Sequence, residues 1–254
     1  MSNENKEYIE GIYNYCDRWC EKCRFTANCL LFTQESKIKT FEILHNGDLS
    51  GIDEVFDKEI DRMENEYFDD EEENENDLEE DFFNSINNEN EDFTERKEES
   101  EKTKHPIEDL VDEYFIKSFS LIKSLSAKYK FVNDSKEDLE GPVAQKIFND
   151  FEVFSWYHAF ISAKIKRALG DLEDIENEDD DDMKEIHISD MNGSAKIGVI
   201  SIKRSIDALN NLHESLDGFS SEVEELLVLL GKMLNFADDL FPNSMEFKRP
   251  GFDD

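Results

Sequence analysis

Apolar residues recur along most of this chain at steps of three and four, the period of one helix face. Tyr8, Ile12, Tyr15 and Trp19 form the first stripe, which predicts a helix running into the segment that follows. Leu30 to Leu44 predicts a second helix, with Leu31, Ile38, Phe41 and Leu44 inward. His45-Asn46-Gly47 ends it, because glycine accepts the left-handed backbone of a helix stop. Asp48 or Ser50 then caps a third, with Ile52, Val55, Phe56, Ile60 and Met63 apolar.

From 64 to 104 the period is lost. It resumes after Pro106, which suits the first turn of a helix. Ile107, Val111, Tyr114 or Phe115, Ile122, Leu125 and Tyr129 make a stripe that Asn133-Asp134-Ser135 breaks. The longest helix starts near Pro142, and Ile147, Phe151, Phe154, His158, Ile161, Ile165, Ala168 and Leu172 form a heptad-like seam along it. It runs out into an acidic surface loop over 173–190, and Asn192-Gly193-Ser194 marks a turn. Val199, Ile202, Ile206, Leu209 and His213 form the next seam, which Asp217-Gly218 breaks. Ser220 or Ser221 caps the last helix, and Glu222, Glu224 and Glu225 complement its dipole. Its seam is Val223, Leu226, Leu230, Met233, Ala237 and Leu240, and Phe241-Pro242-Asn243 ends it.

No strand alternation and no internal repeat appears. The expected fold is all-α, an antiparallel four-helix bundle with a small N-terminal Cys-rich helical module and acidic disordered insertions. The expected division is a Cys-rich module over 1–63, an acidic disordered linker over 64–104, the bundle over 105–245 with its acidic loop at 173–190, and a flexible tail over 246–254.

Charge sharpens this division. The 254 residues carry a net charge of −36, and it is unevenly spread. Residues 64–101 hold 19 Asp and Glu against Arg96 and Lys97, and residues 171–185 hold 10 against Lys184. The first stretch has too little apolar surface to offset chain entropy, which is why it reads as disordered. Phe82, Phe83, Ile86 and Phe93 are the apolar exceptions within it. So acidic a chain is not expected to touch nucleic acid directly, because phosphate contacts need Lys and Arg. A protein partner suits it better. No apolar run reaches the length of a membrane span, and MSNENKEY has no export signal, so no membrane and a cytoplasmic location are expected.

The sharpest chemical signal is YCDRWCEKCRFTANC, which contains all four cysteines, Cys16, Cys20, Cys23 and Cys29. Four clustered thiols in a reducing compartment point to a metal site rather than to disulfides. Thiolates hold Zn²⁺ tetrahedrally or a [4Fe–4S] cluster as a four-Cys site, and the spacing leaves both open. A redox dithiol at Cys20-x-x-Cys23 and four plain core residues are the alternatives.

Cys16-x3-Cys20-x2-Cys23 resembles the three-cysteine motif of radical S-adenosylmethionine enzymes, in which one iron stays open to the cofactor. Here Cys29 would fill that position, and no barrel-forming repeat follows. Cys20-x2-Cys23-Arg24-Phe25-x3-Cys29 resembles the iron–sulfur clasp of RecB/AddB-type nucleases. That resemblance implies a structural [4Fe–4S] cluster on Cys16, Cys20, Cys23 and Cys29, without the nuclease core. The N-terminal string as a whole is similar to uncharacterised bacterial acidic helical proteins with a YCDRWC-type cysteine cluster, a resemblance that brings no activity with it.

His158 and His213 fall on bundle seams, but neither has the Glu three residues earlier that di-iron bundles use; Ser155 and Asn210 stand there. Lys164, Lys166 and Arg167 form a short basic cluster, and Asp179 to Asp182 lack the spacing of an EF-hand loop. No phosphate loop, nucleophile elbow or zinc-protease motif occurs. The sequence therefore favours a non-enzymatic protein with a structural four-cysteine site, zinc or iron–sulfur, on a helical interaction scaffold. The alternative is an iron–sulfur enzyme or redox component in nucleic-acid metabolism. A third reading, acidic mimicry of nucleic acid, rests on the charge alone.

Overall fold

The computed structural model describes residues 8–47, 105–129, 141–216 and 218–253. The helix expected near 48–63, the linker over 64–104 and the breaks at 133–135 and Asp217 lie outside them. The described residues form five α-helices and no strand. These are α1 (Leu30–Leu44), α2 (Pro106–Tyr129), α3 (Pro142–Asn177), α4 (Asp181–Ser215) and α5 (Ser220–Leu240). No helix among them is long and apolar enough to cross a membrane.

The chain divides into two compact units. One joins Met1–Leu30 to Lys104–Asp254, and the other is Leu31–Thr103. The cysteine segment thus belongs with the bundle, whereas the sequence pattern groups it with 31–63. In the second unit, α1 ends as expected, with Asn46 and Gly47 both at positive φ. None of its described side chains is buried, and Leu44, expected inward, is exposed.

In the first unit the expected bundle is present. α3 and α4 are joined by three residues and pack as an antiparallel hairpin, the most extensive helix pairing among the described residues. α5 returns against α4, and α2 packs on both α3 and α5. The core is the set of stripes read from the period: Ile107, Val111 and Leu125 from α2, Phe154, Ile161 and Ile165 from α3, Ile202 and Leu209 from α4, Leu230 and Met233 from α5. Close-packed aliphatic stripes of this kind supply most of a bundle's stability.

Three expectations of secondary structure are corrected. Residues 8–29 form turns with two short 3-10 segments, Cys20–Lys22 and Thr26–Asn28, and no α-helix. Gly11 and Arg18 sit at positive φ, which a right-handed helix forbids. The apolar stripe is still meaningful, because Ile12 and Trp19 are buried. Second, the acidic stretch 173–190 is a loop only at 178–180. Asp180 caps α4 by accepting from Asp182 N and Met183 N, and Asp181 and Asp182 occupy its first turn. Carboxylates there are favoured by the helix dipole. Third, Asn192-Gly193-Ser194 is not a turn but the middle of α4, where residues 192–199 are buried on every side.

Three parts of the chain contribute to that burial: Ile165 of α3 lies against Gly198, Tyr15 lies against Gly193, and the C-terminal segment packs on the same helix. The segment expected to be a flexible tail is packed. Lys196 Nζ donates to Phe247 O at 2.6 Å and pairs with Asp253 at 2.7 Å. Arg249 forms a forked pair with the same Asp253 carboxylate.

Candidate metal centre

The cysteine loop is fixed to the α3–α4 hairpin by an aromatic and polar clasp. Trp19 enters the bundle core and stacks on Trp156, ring centroids 5.1 Å apart and 14° from parallel. Trp156 Nε1 donates to Asp17 O at 3.0 Å. The Asp17 carboxylate accepts from Tyr157 Oη at 2.6 Å and from Arg204 at 2.7 Å. Burial, and then the Asp17 carboxylate, push the Tyr157 hydroxyl well above its ordinary range, so it remains a donor. Lys22 reaches Glu152 at 2.7 Å, and Phe25 packs edge-on against Phe252.

None of the four cysteines is in a disulfide, and all are half-buried. Two of them sit in matching turns. The backbone N–H of Phe25 donates to Cys23 Sγ at 3.4 Å, and the N–H of Arg18 bonds Cys16 in the same i+2 relation. Arg18 reaches this position through its left-handed φ of 55°. A sulfur that accepts an amide N–H is stabilised as a thiolate, the form that binds metal.

Electrostatics are mixed. Burial pushes the Cys16 thiol up, the Arg18 amide pulls it down, and nearby Cys29 adds to the rise. Without a metal Cys16 stays protonated and donates to Tyr13 O at 3.6 Å. Metal binding here would therefore release protons. In a chain of net charge −36 the loop carries Arg18, Lys22 and Arg24 against only Asp17 and Glu21. Lys164 lies close enough for the Cys16 sulfur to influence its ammonium. This local positive balance suits a set of thiolates.

The thiols are not drawn to zinc distances. Among the described residues, three donor atoms within 4.8 Å of one another occur at Asp171, Asp174 and His187, and not among the cysteines. A tetrahedral zinc at about 2.3 Å would hold its sulfurs about 3.8 Å apart. A single zinc therefore requires the loop to close further. A polynuclear iron–sulfur cluster holds its thiolates more widely and requires less.

A cleft of about 620 Å³ opens beside the loop. Cys23 and Arg24 form one wall, Asp150, Arg204 and Asn211 the other, and Trp19 is part of its apolar lining.

The remaining residues singled out from the sequence do not join this centre. His158 bonds Ser155 O and stacks against Phe115 and Phe119. His213 faces Glu224 at 3.3 Å. Lys164 donates to Asn14 O, Lys166 pairs with Asp112 and Arg167 with Asp190, so the basic cluster is engaged within the fold. The period of α3 placed His158 on the seam, whereas Tyr157 occupies the buried position. The partners of the clasp, Asp17, Tyr157 and Arg204, were missed because they are 47 to 187 residues apart. Neither a protein-family model nor any curated protein or solved structure matches the chain.

Proposed function

We propose that the protein is a cytoplasmic, non-enzymatic helical scaffold in which Cys16, Cys20, Cys23 and Cys29 bind a structural metal, an iron–sulfur cluster in preference to zinc. The observation that carries this reading is the pair of matched turns at Cys16 and Cys23, each sulfur meeting an amide N–H two residues on. No three of the four sulfurs lie within 4.8 Å of one another, which suits a cluster better than a single ion. Four free thiols need a reducing compartment to persist. A protein partner is supported by α2, on which Ile116 and Phe119 are 67% and 56% exposed.

Anaerobic purification with metal and sulfide analysis tests the proposal. The expected product is brown and contains iron with acid-labile sulfide. Colourless protein with stoichiometric zinc replaces the cluster by zinc. A chain with all four Cys→Ser changes that keeps its full helicity and melting temperature removes the structural role.

A second reading, an iron–sulfur redox component, is favoured by the cleft that reaches Cys23 beside Arg24 and Arg204. It predicts a reversible couple whose potential shifts in the Arg24→Gln variant, since a nearby positive charge stabilises the reduced cluster.

A further inference from the structure

The facing ends of α3 and α4 carry a second set of donors, on the same compact unit as the cysteines but separate from them. Asp171 and Asp174 lie one turn apart on α3, and His187 lies across from them on α4. One ligand atom of each lies within 4.8 Å of the other two. His187 Nδ1 stands 3.4 Å from Asp171 Oδ1. The other oxygen, Asp171 Oδ2, is buried and has no hydrogen-bond partner.

That lone oxygen calls for a positive group. A buried carboxylate oxygen without a donor is strongly disfavoured. Burial disfavours the charge on Asp171, and the neighbouring Asp190 carboxylate, within side-chain hydrogen-bond reach, adds to this. Arg167 bonds Asp190 through its Nε at 2.6 Å and offsets the charge on Asp171 only in part. Tyr15 bonds Asp190 as well. Asp190 is thereby held in place beside Asp171.

The geometry points to a divalent-cation site formed by Asp171, Asp174 and His187. Two carboxylates with one imidazole suit a borderline transition ion, Mn²⁺, Fe²⁺ or Zn²⁺, better than Mg²⁺ or Ca²⁺, which prefer oxygen alone. Asp174 is exposed, so the remaining coordination positions open to water. A cation placed there offsets the charge of the Asp171 and Asp174 carboxylates and ties the end of α3 to the start of α4. The sequence pattern concealed the set. Asp171 and Asp174 read as part of an acidic run, and His187 lies sixteen residues from Asp171 across the 178–180 link.

Mn²⁺ titration of the full-length protein tests this site, with bound ion followed by electron paramagnetic resonance. Mn²⁺ favours carboxylate and imidazole over thiolate, so the cysteines do not compete for it. One tight Mn²⁺ is expected beyond the weak binding of the acidic segments. Asp171→Asn and His187→Gln are each expected to weaken it at least about tenfold. The chain with all four Cys→Ser changes keeps it, which separates this result from the fate of the cysteine proposal. Unchanged Mn²⁺ affinity in both variants overturns the site. A second readout needs no variant: in the wild-type chain the first equivalent of Mn²⁺ broadens the His187 ring resonances before those of His45, His105, His158 and His213. A His187 signal that stays sharp at one equivalent overturns the proposal whether or not the variants fold.

Discussion

The ring of Tyr15 lies on the bare Cα of Gly193, so closely that a Cβ built there would stand 2.3 Å from Tyr15 Cδ1 and Cε1. The residue before the first cysteine is thus seated directly on the backbone of α4. Its other side meets Phe247 edge-on at 4.7 Å, so the ring cannot slide away without disturbing the C-terminal segment. Gly193→Ala is therefore expected to lift the loop rather than unfold the bundle. Overpacking of this kind costs about 1–3 kcal/mol. Thermal unfolding of Gly193→Ala, Tyr15→Ala and the double variant measures it. Coupling is expected, the double variant losing less than the sum of the two.

The protein has two tryptophans, and they are the stacked pair Trp19 and Trp156. All tryptophan emission therefore reports the docking of the cysteine loop. Trp19 is 8% exposed and belongs to the bundle core. Trp19→Ala removes a large buried ring and is expected to cost about 3–5 kcal/mol. In the wild-type chain, denaturant should red-shift the emission in step with the loss of helical circular dichroism. A red shift at clearly lower denaturant would mean that the loop leaves the bundle before the bundle unfolds.

The helices were legible wherever one face alone is buried. The period of α3 led directly to Phe151, Phe154, Ile161, Ile165 and Ala168, all buried. It failed in the middle of α4, because a helix covered on every side shows no polar face to mark its period. Gly193 and Ser194 then read as turn residues, although their smallness serves the approach of Tyr15 and neighbouring chain. The acidic run misled in the opposite direction: Asp180 to Asp182 looked like a solvated loop and are a cap and first turn. The cysteine cluster was visible as spacing. Its support was not, because Trp156, Tyr157, Arg204 and Phe252 reach it only through the fold.

The Asp17 clasp separates a buried hydrogen bond from an exposed ion pair. Tyr157 is 1% exposed and its hydroxyl donates to a carboxylate. Arg204 donates to the same oxygen, but its side chain is 52% exposed. Tyr157→Phe is expected to cost about 1.5–3 kcal/mol, the range for a hydrogen bond to a charged group. Arg204→Gln is expected to cost about 0–1 kcal/mol, because solvent screens the pair. Chemical denaturation of the two variants checks the ranking; a larger loss in Arg204→Gln would contradict it.

The C-terminal segment is predicted to be held by one carboxylate with a defined acid limit. Asp253 accepts the guanidinium fork of Arg249 and pairs with Lys196, whose side chain is only 8% exposed. The Arg249 bonds, and after them the Lys196 bond, hold the Asp253 carboxyl far below the usual carboxylate range. Because its folded pKa is depressed, ionised Asp253 stabilises the folded state above the unfolded value of about 3.9. That contribution is lost as pH falls from there through the lower folded value. Asp253→Asn should therefore be less stable than wild type by a constant margin between about pH 5 and 8, and the margin should shrink below about pH 4. Removing the carboxylate also leaves Lys196 with Phe247 O as its remaining acceptor. Asp253→Asn should accordingly destabilise more than Lys196→Met, which removes the buried charge together with its need for a partner. Melting temperatures of the three proteins across pH 3 to 8 test both points, and a margin that widens on acidification would refute the assignment.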